Sequence, residues 1–190
     1  MYDVVFIIDA SGSIPSNEFN KGVSAIRYLI ENADPSSKFA VIKFSDQARL
    51  LFNFISPDKA KRKLLNVAHT GGVTNTQHAL RMARRDLFQN PLASGHRQLA
   101  SKLAVVITDG LSNIQPDQTV PQARLLKGIG TEVLVIAVGN FGAAGRKEIC
   151  DIASHPCSDT VFDLRNYRDM IEVAEMAVKI SRAPKVKSPV

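Results

Sequence analysis

Four segments of the chain, residues 4–8, 39–44, 103–107 and 133–138, are nearly unbroken apolar runs rich in β-branched residues. A strand with one wet face alternates apolar and polar residues, so runs of this kind predict strands buried on both faces. Between them apolar residues recur at helical spacing: Phe19, Val23, Ile26 and residues 28–30, then Ala79, Met82, Ala83 and Leu87, then Ala123, Leu125, Leu126 and Ile129. Alternation of this sort predicts an α/β fold, a parallel sheet sandwiched between helices, because right-handed crossovers lay a helix over each face. One segment departs from it. Only residues 45–48 separate the run ending at Phe44 from the next, at 50–54, too few for a helical crossover. Residues 39–54 therefore read as a hairpin that puts an antiparallel strand at the sheet edge. A last short strand at 160–163 precedes a helix at about 166–181. Residues 183–190, with two prolines and two lysines, read as a linker or tail. The expected organisation is one domain over residues 1–182, since 190 residues fit a single core.

Charge and hydropathy exclude several functions. No apolar run approaches the roughly 18–20 residues that cross a bilayer, which predicts no membrane insertion. The chain has 24 Lys plus Arg against 18 Asp plus Glu, a net charge of +6 that favours polyanionic surfaces without demanding one. It lacks an aromatic-rich RNA-binding run, paired Cys/His zinc spacing and a basic heptad helix, so no nucleic-acid partner is expected. A strand directly after Met1 reads as a module taken from a longer protein.

The first strand ends in Asp9-Ala10-Ser11-Gly12-Ser13, and another central strand ends in Ile107-Thr108-Asp109-Gly110. In an open α/β sheet ligands sit outside the carboxyl ends of the strands, so both acids point to one edge. A third polar cluster, Gly71-Gly72-Val73-Thr74-Asn75-Thr76, precedes a helix near Gln77 and can fold over the same edge. Two carboxylates with several hydroxyls, and no sulfur or imidazole beside them, form a hard oxygen donor set that suits Mg²⁺ better than zinc. Neutral hydroxyls leave such an ion electron-poor, with room for waters or an external carboxylate. The alternative is that Ser11, Ser13 and Thr74 cap helices while Asp9 and Asp109 accept loop hydrogen bonds.

Taken together, the D-x-S-x-S loop, the Thr of Thr74-Asn75-Thr76 and the Asp of Ile107-Thr108-Asp109-Gly110 resemble the metal-ion-dependent adhesion site, or MIDAS, of von Willebrand factor type A domains. The resemblance runs from Tyr2 to about Ser181. It implies a Rossmann-like, doubly wound six-stranded sheet with one antiparallel edge strand. It also implies that Ser11, Ser13 and Thr74 present hydroxyls to a Mg²⁺, Mn²⁺ or Ca²⁺ ion, while Asp9 and Asp109 bind it directly or through water. Residues 139–142 lead quickly into the next helix, leaving no room for the extra helix of collagen-binding integrin inserted domains. In that respect the chain looks more like the A domains of matrilins, collagen VI and collagen XII, and it also resembles a mussel byssal thread matrix protein. The implied function is a secreted, non-enzymatic matrix adhesion module whose partner is collagen or another matrix protein. An intracellular scaffold domain of the same family is the alternative. A Mg²⁺-dependent phosphotransferase fits poorly, because Ser11 stands where a second acid is needed.

Cys150 and Cys157 are the only cysteines. An extracellular protein pairs them, with about 2.5 kcal/mol from closing so short a loop, whereas an intracellular one keeps two packed thiols. No N-glycosylation sequon supports secretion independently. Gly139, Gly142 and Gly145 lack the spacing of a dinucleotide loop, and the four histidines are dispersed. Basic groups at Lys59, Lys61, Arg62 and Lys63, at Arg81, Arg84 and Arg85, and at Lys179, Arg182, Lys185 and Lys187 read as solvated helix faces and chain end. Their alternative role is to attract sulfated glycosaminoglycan.

Overall fold

The computed structural model describes residues 1–182, so the expected tail at 183–190 lies outside the described residues. A six-stranded sheet has the order β3-β2-β1-β4-β5-β6. Its strands are β1 (Tyr2–Asp9), β2 (Lys38–Phe44), β3 (Ala48–Ile55), β4 (Ser101–Thr108), β5 (Thr131–Val138) and β6 (Val161–Leu164). All pairings are parallel except β2 with β3, which is the expected edge hairpin. Register irregularities near Val41 break the regularity of that edge, a feature that discourages pairing with another chain.

The continuous runs divide by parity between two cores. Val5, Ile7, Ala40, Ile42, Ala104 and Val106 face one helical layer, which includes α3 (Thr76–Met82), α5 (Thr119–Gly128) and α6 (Gly142–Ile152). Val4, Phe6, Ile8, Val41, Val105 and Ile107 face the other, which includes α1 (Ser16–Glu31), α2 (Pro57–Lys63) and α8 (Tyr167–Arg182). Both faces are therefore dry, which is why these strands carry no polar alternation. In α1, Phe19, Val23, Ile26 and Ile30 form the buried stripe that the spacing predicts. There Gly22 lets α8 approach closely, because a Cβ at that position would lie 2.9 Å from the Tyr167 ring.

Three features differ from or add to the sequence expectation. The helix through Ala79 and Leu87 is regular only to Met82 and then widens into a π-helical stretch, Ala83–Phe88. The wider turn leaves Leu87 and Phe88 both buried, and Phe88 meets Phe54 and His96 with ring centroids 5.3 Å apart in each case. Short helices α4 (Pro91–Ser94) and α7 (Cys157–Thr160) complete the connections. At the amino end of β1, Asp3 is fully buried and accepts hydrogen bonds from the Arg97 backbone N–H at 2.7 Å and Nε at 3.0 Å. His96 Nδ1 lies 2.9 Å from the same carboxylate. Isolated charges in a sequence give no sign of such a cluster. Among the described residues no helix is long and apolar enough to cross a membrane.

Cys150 in α6 and Cys157 in α7 are joined by a disulfide with Cα atoms 5.3 Å apart, closing a short loop through His155 and Pro156. Its chain-entropy contribution of about 2.5 kcal/mol predicts that reduction, or Cys150→Ser with Cys157→Ser, lowers the melting temperature by roughly 5–10 °C. Differential scanning calorimetry with and without reductant checks this. Asp3→Ala strips the buried acceptor from Arg97 and His96, and the expected loss is about 3–5 kcal/mol in urea unfolding, with Asp3→Asn losing less.

Candidate metal centre

β1 and β4 lie side by side and parallel, with Ile8 opposite Ile107, so Asp9 and Asp109 leave the sheet at the same end of neighbouring strands. The strand order reverses between these two strands, the position at which open α/β sheets leave a crevice. Asp9 is fully buried, Ser11 is buried, Ser13 is exposed and Asp109 is half-buried. The Asp9 carboxylate accepts the Ser11 N–H on Oδ1 at 2.9 Å and the Thr108 hydroxyl on Oδ2 at 2.7 Å. Ser11 Oγ lies 3.1 Å from Ser13 Oγ, and Ser13 Oγ donates to Asp109 Oδ1 at 2.9 Å. A chain of hydroxyls thus runs between the two acids.

Backbone bonds carry Thr74 to the same edge. Gly12 N–H donates to Gly72 O at 2.8 Å and Gly71 N–H to Ala10 O at 2.9 Å, stitching the loop after β1 to the glycine loop. Asn113, beyond β4, accepts the Thr74 N–H on Oδ1 at 2.8 Å and donates its own N–H to Thr74 O at 2.9 Å. Gly72 has φ +91°, and a side chain there would collide with the Asp46 carboxylate, which accepts the Val73 N–H at 2.6 Å. His69 Nε2 sits 3.0 Å from Ser11 O, and Glu148 on α6 accepts the Ser112 N–H at 3.3 Å. Sequence reading named Asp9, Ser11, Ser13, Thr74 and Asp109, and the structure gathers the three loops that carry them. It missed Thr108, Asn113, His69, Asp46 and Glu148. Of these only Thr108, inside the Ile107-Thr108-Asp109-Gly110 motif, carried a signal.

Of the alternative reading, Asp9 and Asp109 do accept loop hydrogen bonds, from Ser11 and Ser13, but the helix capping is not what the structure adopts. The residue before α1 is Pro15, with no side-chain cap, and the cap of α3 is Asn75, whose side chain accepts the His78 N–H. The hydroxyls of Ser11, Ser13 and Thr74 therefore serve no helix end. Burial pushes the Asp9 carboxyl up to about 6, against the hydrogen bonds from Thr108 and Ser11 and aided by the negative Asp109. Burial also raises Asp109, opposed by the bond from Ser13. Among the described residues neither acid has a cationic partner within ion-pair distance. Two desolvated carboxylates linked through the Ser11 and Ser13 hydroxyls form a donor set that fits a hard divalent cation.

Because the folded-state pKa of Asp9 lies above its unfolded value of 3.8, the native metal-free protein binds this proton more tightly than the unfolded chain does. The associated stability is complete below about pH 4 and disappears as pH rises through 6, a change on the order of 3 kcal/mol. In EDTA the melting temperature is expected to fall over that interval. Asp9→Asn, which keeps an acceptor for Ser11 while Thr108 turns to its second acceptor, Gly110 O at 3.0 Å, is expected to flatten the decline. Thermal unfolding between pH 4 and 7 measures both.

Comparison with known proteins agrees with this geometry. The family model for the von Willebrand factor type A domain matches residues 3–175. Mouse integrin alpha-X is 34% identical over 174 residues, which cover 87% of this chain and 14% of that one. Mouse matrilin-1 is 27% identical over 183 residues, covering 93% of this chain and 35% of that one. The human collagen alpha-5(VI) chain is 30% identical over 161 residues, 82% of this chain and 6% of that one. Integrin α chains thus stand beside matrilin and collagen VI among the relatives, and this chain spans only a small part of their length. Among solved structures, proximal thread matrix protein 1 from the mussel byssus with a zinc-occupied MIDAS motif shares the fold, with TM-score 0.80 and 24% identity over 95% of this chain and 45% of that one. A second crystal form of that protein gives TM-score 0.82 at 19% identity over 95% of this chain and 48% of that one. The chain belongs to the von Willebrand factor type A domain family.

Proposed function

We propose that this domain is a non-enzymatic extracellular adhesion module that captures a carboxylate of a matrix-protein partner, collagen foremost, through a divalent cation held by Asp9, Ser11, Ser13, Thr74 and Asp109. The observation that carries this reading is the pair of desolvated carboxylates, without a cationic partner among the described residues, linked by hydroxyls that no helix uses. A bound Mg²⁺, Mn²⁺ or Ca²⁺ supplies a Lewis-acidic position open to an external carboxylate. Asp9 and Asp109 balance the dication's charge. Ser11, Ser13 and Thr74 add oxygens without adding charge, so the protein leaves attraction over for the partner. A byssal protein of the same fold has a MIDAS motif that holds zinc, which supports a divalent ion here without choosing among metals.

Two observations support an extracellular location: the disulfide, which suits an oxidising compartment, and relatives that include matrilin-1 and a collagen VI chain. A sulfated glycosaminoglycan partner is the second reading, favoured by exposed Lys59, Arg62 and Lys63 on α2. Lys61 on the same helix is already paired with Glu31 and Asp58, which thins that patch.

Calorimetric titration is expected to show Mg²⁺ binding at millimolar concentration or below. At a hundredfold excess over its Kd the ion adds about 2.7 kcal/mol, a rise of roughly 5–10 °C in melting temperature. Asp109→Ala should lose most of that gain and keep its fold. Adhesion to fibrillar collagen should need the metal, whereas heparin binding should survive EDTA and fall steeply with salt. Absence of Mg²⁺ binding by the wild type, or undiminished adhesion in EDTA, overturns the metal-capture reading.

A further inference from the structure

Beside the proposed metal centre lies a second arrangement with unspent charge. Lys43 is 8% exposed, although it stands in β2 among apolar residues. Its Nζ donates to Ala68 O at 2.6 Å, which leaves further N–H donors to satisfy. Directly across the antiparallel pair stands Arg49 on β3. Like charges in opposed positions destabilise a strand pair, and burying an ammonium without a counter-charge is costly. Burial and the Arg49 charge both hold the Lys43 ammonium below the usual lysine range. Among the described residues neither cation takes part in an ion pair.

Both side chains line an open polar cavity of about 380 Å³, together with Asp46, Thr70, Gly71 and Gly72. The last two belong to the loop bonded to Ala10 and Gly12, so the cavity and the metal centre share a wall. Asp46 is the one acid among the lining residues, and its Oδ1 already accepts the Val73 N–H. The cavity therefore carries one net positive charge next to a centre that carries two negative ones.

We infer that the cavity bounded by Lys43 and Arg49 is a carboxylate subsite, which takes an acidic side chain of a protein ligand whose neighbouring carboxylate sits on the metal. A single carboxylate supplies the counter-charge that the cross-strand pair lacks and accepts from both cations. Densely sulfated glycan fits less well, because it needs an extended basic surface and meets Asp46 on the cavity wall. The role of the subsite in adhesion rests on the metal-capture reading above, but the subsite itself does not.

The test has an arm for each part. In EDTA, ¹⁵N-labelled protein is titrated with sodium acetate at constant ionic strength. Saturable shifts are expected at the amides of Ser45, Thr70, Gly71 and Gly72, and their loss is expected in Arg49→Gln, an exposed position, and in Lys43→Gln, which keeps a donor for Ala68 O. Ligand-free Arg49→Gln should also melt above the wild type, since the opposed charges are relieved. In Mg²⁺, a peptide with two glutamates should bind about tenfold tighter than one with a single glutamate, the scale of one charge-assisted hydrogen-bonded contact, and Arg49→Gln should erase the margin. Linear acetate shifts, or shifts unchanged in both variants, overturn the subsite. Displacement of acetate by a heparin disaccharide but not by the diacidic peptide overturns its assignment to a protein ligand. If acetate binds as expected while neither peptide binds in Mg²⁺, the subsite stands and metal capture fails.

Discussion

Asp9 is a fully buried carboxylate with no cationic partner among the described residues, placed at the end of a central strand of the sheet. Its two oxygens are tied by a backbone N–H and a threonine hydroxyl, which hold the group in place without neutralising it. Folding drives the apolar residues of β1 into two dry cores, and the acid is carried inward with them. The protein thereby sets hydrophobic burial against electrostatic self-energy at one atom group. On the proposed reading a dication offsets that cost in a way that a surface lysine does not, because a small double charge neutralises both Asp9 and Asp109 from one position.

The loops around Asp9 follow from the same requirement. A donor set that relies on neutral hydroxyls gains little per ligand, so its geometry must be held by other bonds. Here backbone amides supply them: the loop after β1 is laced to the glycine loop, and Asn113 clasps Thr74 from both sides of its peptide. These bonds, rather than the hydroxyls of Ser11, Ser13 and Thr74, set where the loops lie.

The strands were legible because burial on both faces writes itself as uninterrupted apolar sequence, as in residues 4–8 and 133–138. The hairpin was legible because residues 45–48 are too few for any other return. Asp9, Ser11, Ser13 and Asp109 stood out because acids and hydroxyls follow directly on two buried strands, and Thr74 because it lies in a polar glycine loop ahead of a helix that can fold over the same edge. What escaped was everything that depends on distant segments meeting without a period: the Gly12–Gly72 bond, the Asn113 clasp, and the Asp3 cluster with His96 and Arg97. The π-helical widening at Ala83–Phe88 escaped for a different reason, since its apolar spacing is compatible with an ordinary helix and only the fit of Phe88 against Phe54 distinguishes the two.

β1 has an acid at each end, Asp3 and Asp9, and only apolar residues between them. The six steps from Asp3 to Asp9 span about 20 Å of extended chain, so the strand works as a ruler between its two acids. At one end the ruler is pinned, because Arg97 and His96 hold Asp3 from several directions. Sliding by one residue turns every side chain to the wrong layer, and sliding by two pulls a charge into hydrocarbon. The placement of Asp9 beside Ser11 and Thr108 is thus inherited from a clamp at the other end of the strand, and precision at the Asp9 edge is a property of the full strand.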